Sequence, residues 1–460
     1  MIKIIKSCIN KIFQKSEKPK LLALLTFGIL LNLFFLGLYY IPQPANLIGD
    51  ENYNYLFANC IANGTPVNPN PSWPPLYPYL MGIIFSVLNP HPVYIQILQI
   101  VMWLSSAVLF YKIASYLLPF SGASYMALAL FLLCPELIAF SHYLWPEIFH
   151  LFFFITALWL IICHHKSYLA VVISGLFLGL ALLTKLLLLP FMVVVFIFFI
   201  LLTPEATIHR YLKGLLLILV IFITVLPTMK KNRIIHGQFM IADSSVINLW
   251  IGLNDTGLTD YKNDICQDEF YEFQQSGPDI KTRNHIYREK ITQKLKKQGF
   301  LETIKKQFSK QYYRLFDYET FFTTRLMGGP RHSYHFQNSL LSNLLHIYSH
   351  TLYGFILFTS TMGIFFIRVR SFGWPHFFVI FIGYNLFIFL FLHVKTRYVI
   401  QFIPMMMFFS SVTLYLLYLL ARKKQVPHMS YFVLNKFRIT LSIVTAVLME
   451  FVAFRSFLLG

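Results

Sequence analysis

The chain has 460 residues, of which 57% are hydrophobic and 12% charged, and its formal net charge is +19. A soluble protein carries about 25% charged residues. These proportions exclude an ordinary water-soluble globule and place the core in a bilayer, where length no longer sets the number of domains. The positive excess does not point to nucleic acid, because much of the Lys and Arg flanks apolar stretches, as it does where charge sets orientation across a membrane.

Residues 1–20 carry six lysines ahead of about 20 apolar residues with no small-residue cleavage site. This reads as a cytoplasmic basic tail and an uncleaved anchor. Apolar runs long enough to span then follow at about 21–41, 93–118, 123–141, 147–163, 168–184, 186–203, 211–228, 345–367, 374–394, 398–420 and 439–459. They predict an all-α polytopic protein of about eleven transmembrane helices, since helices satisfy their own backbone in hydrocarbon. With the amino terminus inside, Lys112, Lys166, Arg210, Lys213, Arg368, Arg370, Arg422, Lys423, Lys424, Lys436 and Arg438 all fall on the cytoplasmic side. The outer stretches 41–94 and 141–147 hold no Lys or Arg, so the positive-inside rule is met except by the basic outer segment 229–344, and long translocated segments escape it.

The first outer loop, 42–92, contains two helical stripes separated by the proline-rich turn "NPNPSWPPLYP". Tyr53, Leu56, Phe57, Cys60 and Ile61 form the first; Leu76, Tyr79, Leu80, Ile83, Ile84, Val87 and Leu88 form the second. Both predict helices lying in the membrane interface. Residues 229–344 form a long extracytoplasmic segment. It includes a basic helical stretch over about 281–316 that reads as an amphipathic helix resting on anionic lipid. Residues 21–228 are thus an amino-terminal membrane module of seven helices, and 345–460 a carboxy-terminal group of membrane helices. The five cysteines form no metal-binding spacing; Cys60 and Cys266 both fall outside, and whether they pair stays open.

This topology gathers charged residues on the outer side. Asp50 and Glu51 lie in the first loop, Glu147 at the start of the fourth span, Lys185 in the hairpin after the fifth, Lys230, Lys231 and Arg233 after the seventh, and Lys395 and Arg397 near the tenth. Each has a plainer reading. Asp50 also suits a helix N-cap, Glu147 a first-turn acid, and Lys395 and Arg397 interface anchors. Lys185 is harder to explain so simply, because an ammonium between two apolar spans must snorkel or pair. Glu136 and Glu450 are further acids within apolar runs. A carboxylate able to accept a hydroxyl proton, together with cations able to hold a phosphate leaving group, is what sugar transfer from a lipid phosphate requires. The sequence has no GxSxG, HExxH, P-loop or GxGxxG motif.

Several segments in order resemble the GT-C glycosyltransferases, in particular bacterial members related to protein O-mannosyltransferases and the aminoarabinose transferase of lipid A. They are "GDENY" at 49–53, "WPPLYPYL" at 73–80, Glu147, "GLFLGLALLTKLLLLP" at 175–190, "LPTMKKNRIIHGQFMIADSSVINLWIGLNDTG" at 226–257 and "TRYVIQFIP" at 396–404. The resemblance implies a GT-C-like fold, an inverting transfer of a sugar from a polyprenyl phosphate on the outer face, and an active site in the first outer loop. It implies Asp50 as general base, with Glu51 and Glu147 as further catalytic acids. Lys185, Arg397, Lys395 and Arg233 are the expected phosphate-binding cations, and Trp73, Tyr53 and Tyr398 the expected lining of the substrate site. Asn52 departs from the small residue that often follows the acidic pair.

The expected partners are a polyprenyl-phosphate-linked sugar, an acceptor that is a lipid, protein or glycan, and membrane lipids, with no nucleic acid. No cofactor is expected, although a divalent cation stays open. The resemblance places the protein in a bacterial inner membrane. A transporter or flippase of lipid-linked saccharides is the alternative, and would place its working charges near the midplane. A scaffold binding acidic polymers through the basic outer segment is a third reading.

Overall fold

The computed structural model describes residues 18–39, 47, 49–67, 70–118, 120–254, 265–318, 322, 340–422 and 431–455. Most of the amino-terminal tail, Cys8, Lys423, Lys424, and residues 255–264, 319–321 and 323–339 lie outside the described residues. In chain order the helices are α1 (Lys18–Tyr39), α2 (Asp50–Ala62), α3 (Leu76–Val87), α4 (Pro92–Leu117), α5 (Ser121–Leu133) and α6 (Pro135–Phe140). There follow α7 (Glu147–His164), α8 (Tyr168–Thr184), α9 (Met192–Leu202), α10 (Thr207–His236), α11 (Ser245–Asn254) and α12 (Cys266–Gln275). The chain continues through α13 (Ile280–Gln298), α14 (Phe300–Leu315), α15 (Leu340–Phe365), α16 (Trp374–Phe391), α17 (Ile403–Ala421) and α18 (Lys436–Ala453). Short 3₁₀ turns occupy Leu186–Leu188 and Thr396–Gln401, and among the described residues the only strand-like pairing is an isolated bridge between Ile367 and Phe432.

The all-α expectation holds, but the spans are less uniform than the hydropathy suggests. Among the described residues six helices are long and apolar enough to cross a membrane: α1 from Pro19, α4, α7, α10, α16 and α17. The run at 123–141 is two helices, because Pro135 cannot donate to the turn before it and restarts the chain as α6. The run at 186–203 opens with the 3₁₀ turn and leaves only the 11 residues of α9. In contrast α10 is longer than expected, running unbroken through Pro227 to His236, so the boundary drawn at residue 228 falls inside a helix. The expected basic helix at 281–316 is broken by Gly299, whose φ of +81° suits glycine, into α13 and α14.

Glycine spacing explains the tightest packing. Gly175 and Gly179 of α8 face α10, where an added Cβ would lie 2.8 Å from Val220 and 2.5 Å from Thr224. A Cβ at Gly363 of α15 would stand 2.2 Å from the Phe409 carbonyl of α17. Small residues permit such backbone approach, and close packing is what holds helices together when lipid supplies no hydrophobic drive.

The helix α2 buries two of its polar residues. Tyr53 and Leu56 of the apolar stripe are exposed, whereas Glu51, Asn54, Tyr55 and Ala58 are buried. Phe57 of the stripe is buried as well, and Cys60 and Ile61 are half-buried, so the inner face of α2 mixes two polar residues with apolar ones.

Candidate active site

The turn between α6 and α7, residues 141–146, carries Trp145 and leads into Glu147. Its backbone is held by side chains from two other helices. Gln96 of α4 donates to the His142 carbonyl at 2.9 Å, and Gln99 to the Tyr143 carbonyl at 2.7 Å. Glu51 of α2 accepts from the Leu144 amide at 2.9 Å, and Asn54 donates to the Leu144 carbonyl at 3.1 Å. A buried irregular backbone needs such partners, because an unmade hydrogen bond there is expensive.

Immediately before α2, Gly49 has φ +56° and ψ −126°, a region that favours glycine. Gly49, not Asp50, is the N-cap; no side-chain cap bond is made, so the capping role expected of Asp50 is not what the structure shows. Asp50 instead turns its carboxylate outward to Arg397, which lies 3.1 Å away on the 3₁₀ turn before α17. The Arg397 guanidinium also stacks 4.2 Å from the centre of the Trp145 ring.

A second pair stands nearby. Lys185, at the end of α8, donates to Glu147 at 2.9 Å. Glu147 is buried and Lys185 largely so. Burial pulls the Lys185 ammonium below the usual lysine range; Glu147 opposes this, while Arg397 adds to it. The other Glu147 oxygen, Oε2, is buried with no hydrogen-bond partner among the described residues. Such an acceptor is a natural place for a ligand hydroxyl.

Both pairs line one cavity of about 600 Å³. Its polar wall includes Asp50, Asn54, Glu147, Lys185, Asn248 and Arg397. Its apolar wall includes Leu186, Leu187, Leu189, Ile388, Phe389 and Leu392. Tyr53, Trp73 and Tyr398, expected as lining, lie on it. Trp73 is stacked on Phe270 of α12 with ring centres 5.1 Å apart, so α12 helps to shape the site.

Three expected site residues are elsewhere. Glu51 is fully buried and does not line the cavity, because successive side chains on a helix point about 100° apart; Asp50 faces the cavity and Glu51 faces the 141–146 turn. Arg233 is exposed on the last turn of α10 and is not part of the lining; the helix continues past residue 228 and carries it away. Lys395, two residues before Arg397, is also not part of the lining. No disulfide joins Cys60 to Cys266.

The structure adds Trp145 and Asn54, which no sequence pattern singled out. Glu136, unassigned in sequence, accepts from the Phe322 amide at 2.8 Å and so serves the backbone. Glu51 is best tested by paired substitutions. Glu51→Gln keeps an acceptor for the Leu144 amide, whereas Glu51→Ala strands it at about 1–3 kcal/mol. Turnover is expected to fall at least tenfold in the Ala variant and to stay close to wild type in the Gln variant. Equal loss in both would make the charge of Glu51 part of the chemistry.

Residues 72–228, well under half of the chain, match the model of a family described as dolichyl-phosphate-mannose-protein mannosyltransferase. Among solved structures the chain is similar to the oligosaccharyltransferase AglB of the archaeon Archaeoglobus fulgidus, in complex with an inhibitory peptide and a dolichol-phosphate. The identity is 14%, the TM-score 0.46, and the alignment covers 95% of this chain and 56% of that one. The apo form of the A. fulgidus oligosaccharyltransferase aligns at 13% identity and TM-score 0.42, over 94% and 55% of the two chains. This chain thus spans little more than half the length of those structures, a likeness too loose to carry activity. No curated protein matches the sequence.

Proposed function

We infer that this chain, a membrane glycosyltransferase of the GT-C type by its match over residues 72–228, moves a sugar from a polyprenyl phosphate to an acceptor hydroxyl with inversion at the anomeric carbon. The observation that carries this reading is the meeting of the Asp50–Arg397 and Glu147–Lys185 pairs, drawn from four separate elements, on one cavity with an apolar wall. A polyprenyl-phosphate sugar, the donor class named in the matched family's description, has chemistry that suits both walls.

Bound donor phosphate competes with Asp50 for Arg397 and engages Lys185. Arg397, stacked on Trp145, keeps its place while changing partner. Asp50 is then free to accept the proton of the acceptor hydroxyl. The acceptor oxygen forms the new bond to the anomeric carbon as the bond from that carbon to the phosphate oxygen breaks. The electron pair leaves with the polyprenyl phosphate, whose charge the two cations stabilise. Glu147 Oε2 receives a hydroxyl of the sugar or the acceptor. Because Asp50 acts on the incoming nucleophile and forms no covalent intermediate, one displacement inverts the centre. The site faces the outside of a multi-pass membrane protein, with a bacterial inner membrane as the setting.

Membranes carrying the protein are expected to transfer label from a radiolabelled polyprenyl-phosphate sugar to an acceptor, giving a linkage of opposite anomeric configuration by NMR. Retained configuration would contradict a single displacement.

A further inference from the structure

The helix α14 is amphipathic in an unusual sense. Thr303, Gln307 and Gln311 are buried, whereas Leu301 is 81% and Phe308 59% exposed, with Phe300 also exposed. The buried polar row is used against the end of the membrane helix α16. Gln307 donates to the Leu390 carbonyl at 3.2 Å, Gln311 to the Leu392 carbonyl at 3.1 Å, and Tyr312 to the Leu386 carbonyl at 3.2 Å. Gln307, Lys310 and Gln311 also converge on the Gly252 carbonyl of α11.

These bonds fix the depth of α14. Leu386 is five residues before the end of α16 at Phe391, about 7 Å along a helix axis. A helix tied there lies beside the last turns of an apolar span, and Phe387 of that span is itself exposed. Phe300, Leu301 and Phe308 of α14 are exposed apolar side chains on the same helix as the Gln307, Gln311 and Tyr312 that are tied to that span. Beside them, Lys305 follows Leu301 by four residues and precedes Phe308 by three, so the three share one helical face. Lys306 is also exposed on α14, within about a turn and a half of Leu301, and Lys297 is exposed at the end of α13, two residues before the Gly299 break.

We propose that α14 is an anionic-lipid-binding foot, with Leu301 and Phe308 in the acyl boundary of the outer leaflet and Lys305 and Lys306, together with Lys297 at the end of α13, on the phosphates of anionic headgroups. Its occupant is the bilayer, selected by the pairing of an exposed apolar row with lysines and no exposed acid other than Glu302 on the same helix. The binding does not depend on the sugar-transfer reading.

The test uses the full chain in nanodiscs containing a diazirine-acyl phosphatidylglycerol or the matching phosphatidylcholine, photolysed and mapped by mass spectrometry. Acyl adducts are expected on the peptide spanning Phe300 to Phe308. Their yield with phosphatidylglycerol is expected to be at least about threefold higher, since each lysine near an anionic surface contributes favourably. The K297Q/K305Q/K306Q variant is expected to lose that excess, and L301S/F308S the adducts themselves, while helix α10 stays labelled in both. Equal yields from the two lipids, or no adduct on this peptide when α10 is labelled, would overturn the proposal.

Discussion

Asp50→Asn is expected to lower sugar transfer by about 100- to 10,000-fold, the range in which a positioned general base contributes. The substitution is nearly isosteric, and the amide oxygen can still accept from Arg397, which lies 3.1 Å from the carboxylate. Asp50 is also half-exposed at the cavity wall, so folding and membrane insertion should be unchanged. What the variant loses is the ability to take a proton. Donor binding should survive, because Lys185 and Arg397 remain. Initial-rate measurements on purified protein would separate the effects: kcat collapses while the KM for the donor stays within a few-fold. Loss of donor affinity at unchanged kcat would instead make Asp50 an anchor for Arg397.

Lys185→Met is expected to damage both stability and transfer, for different reasons. Removing the ammonium leaves Glu147 buried without its cation, and breaking a buried pair in this way costs about 3–5 kcal/mol. It also removes one of the two charges proposed to stabilise the leaving phosphate, worth about 100- to 1,000-fold in kcat for a donor of this kind. The double variant Lys185→Met with Glu147→Gln separates the two effects. With no buried charge left unpaired, thermal stability should return most of the way to wild type, while transfer stays low. Recovery of transfer along with stability would show that the pair is structural only. Thermal unfolding in detergent and transfer assays on the same preparations would decide this.

Much of the site was legible because its chemistry sits at the ends of apolar runs. Asp50, Glu147, Lys185 and Arg397 were each conspicuous as charges beside hydrophobic segments, and the charge asymmetry of the loops assigned them one side. The structure brings those four together on one cavity. Periodicity could not resolve Asp50 from Glu51, because adjacent acids look equivalent in sequence and differ only in the direction in which the helix turns them. Arg233 and Lys395 were drawn in by sequence proximity to the membrane surface, which fixes depth but not azimuth around the bundle.

The fold shows the same division. The boundaries at 168–184 emerge unchanged as α8, where the run is apolar throughout and flanked by a Ser167 cap and Lys185. The run at 123–141 hid a break at Pro135 that hydropathy averages away. The apolar rows of α2 and α14 were legible as rows, but the burial of Glu51 and Asn54 on α2 and of Gln307 and Gln311 on α14 was not. Those polar side chains are buried because backbone at 141–146 and at 386–392 makes hydrogen bonds with Glu51, Asn54, Gln307, Gln311 and Tyr312.

The most direct test of the central claim is mass spectrometry of the lipids that co-purify with wild-type protein and with Asp50→Asn. The proposed mechanism predicts a polyprenyl phosphate still carrying its sugar, enriched on the Asn variant because binding is intact and transfer is not, with the mass identifying the sugar class. Absence of any polyprenyl lipid from both proteins would contradict the donor site. The same intact lipid-linked sugar on both, in equal amount, would contradict transfer and favour a protein that moves such lipids across the membrane.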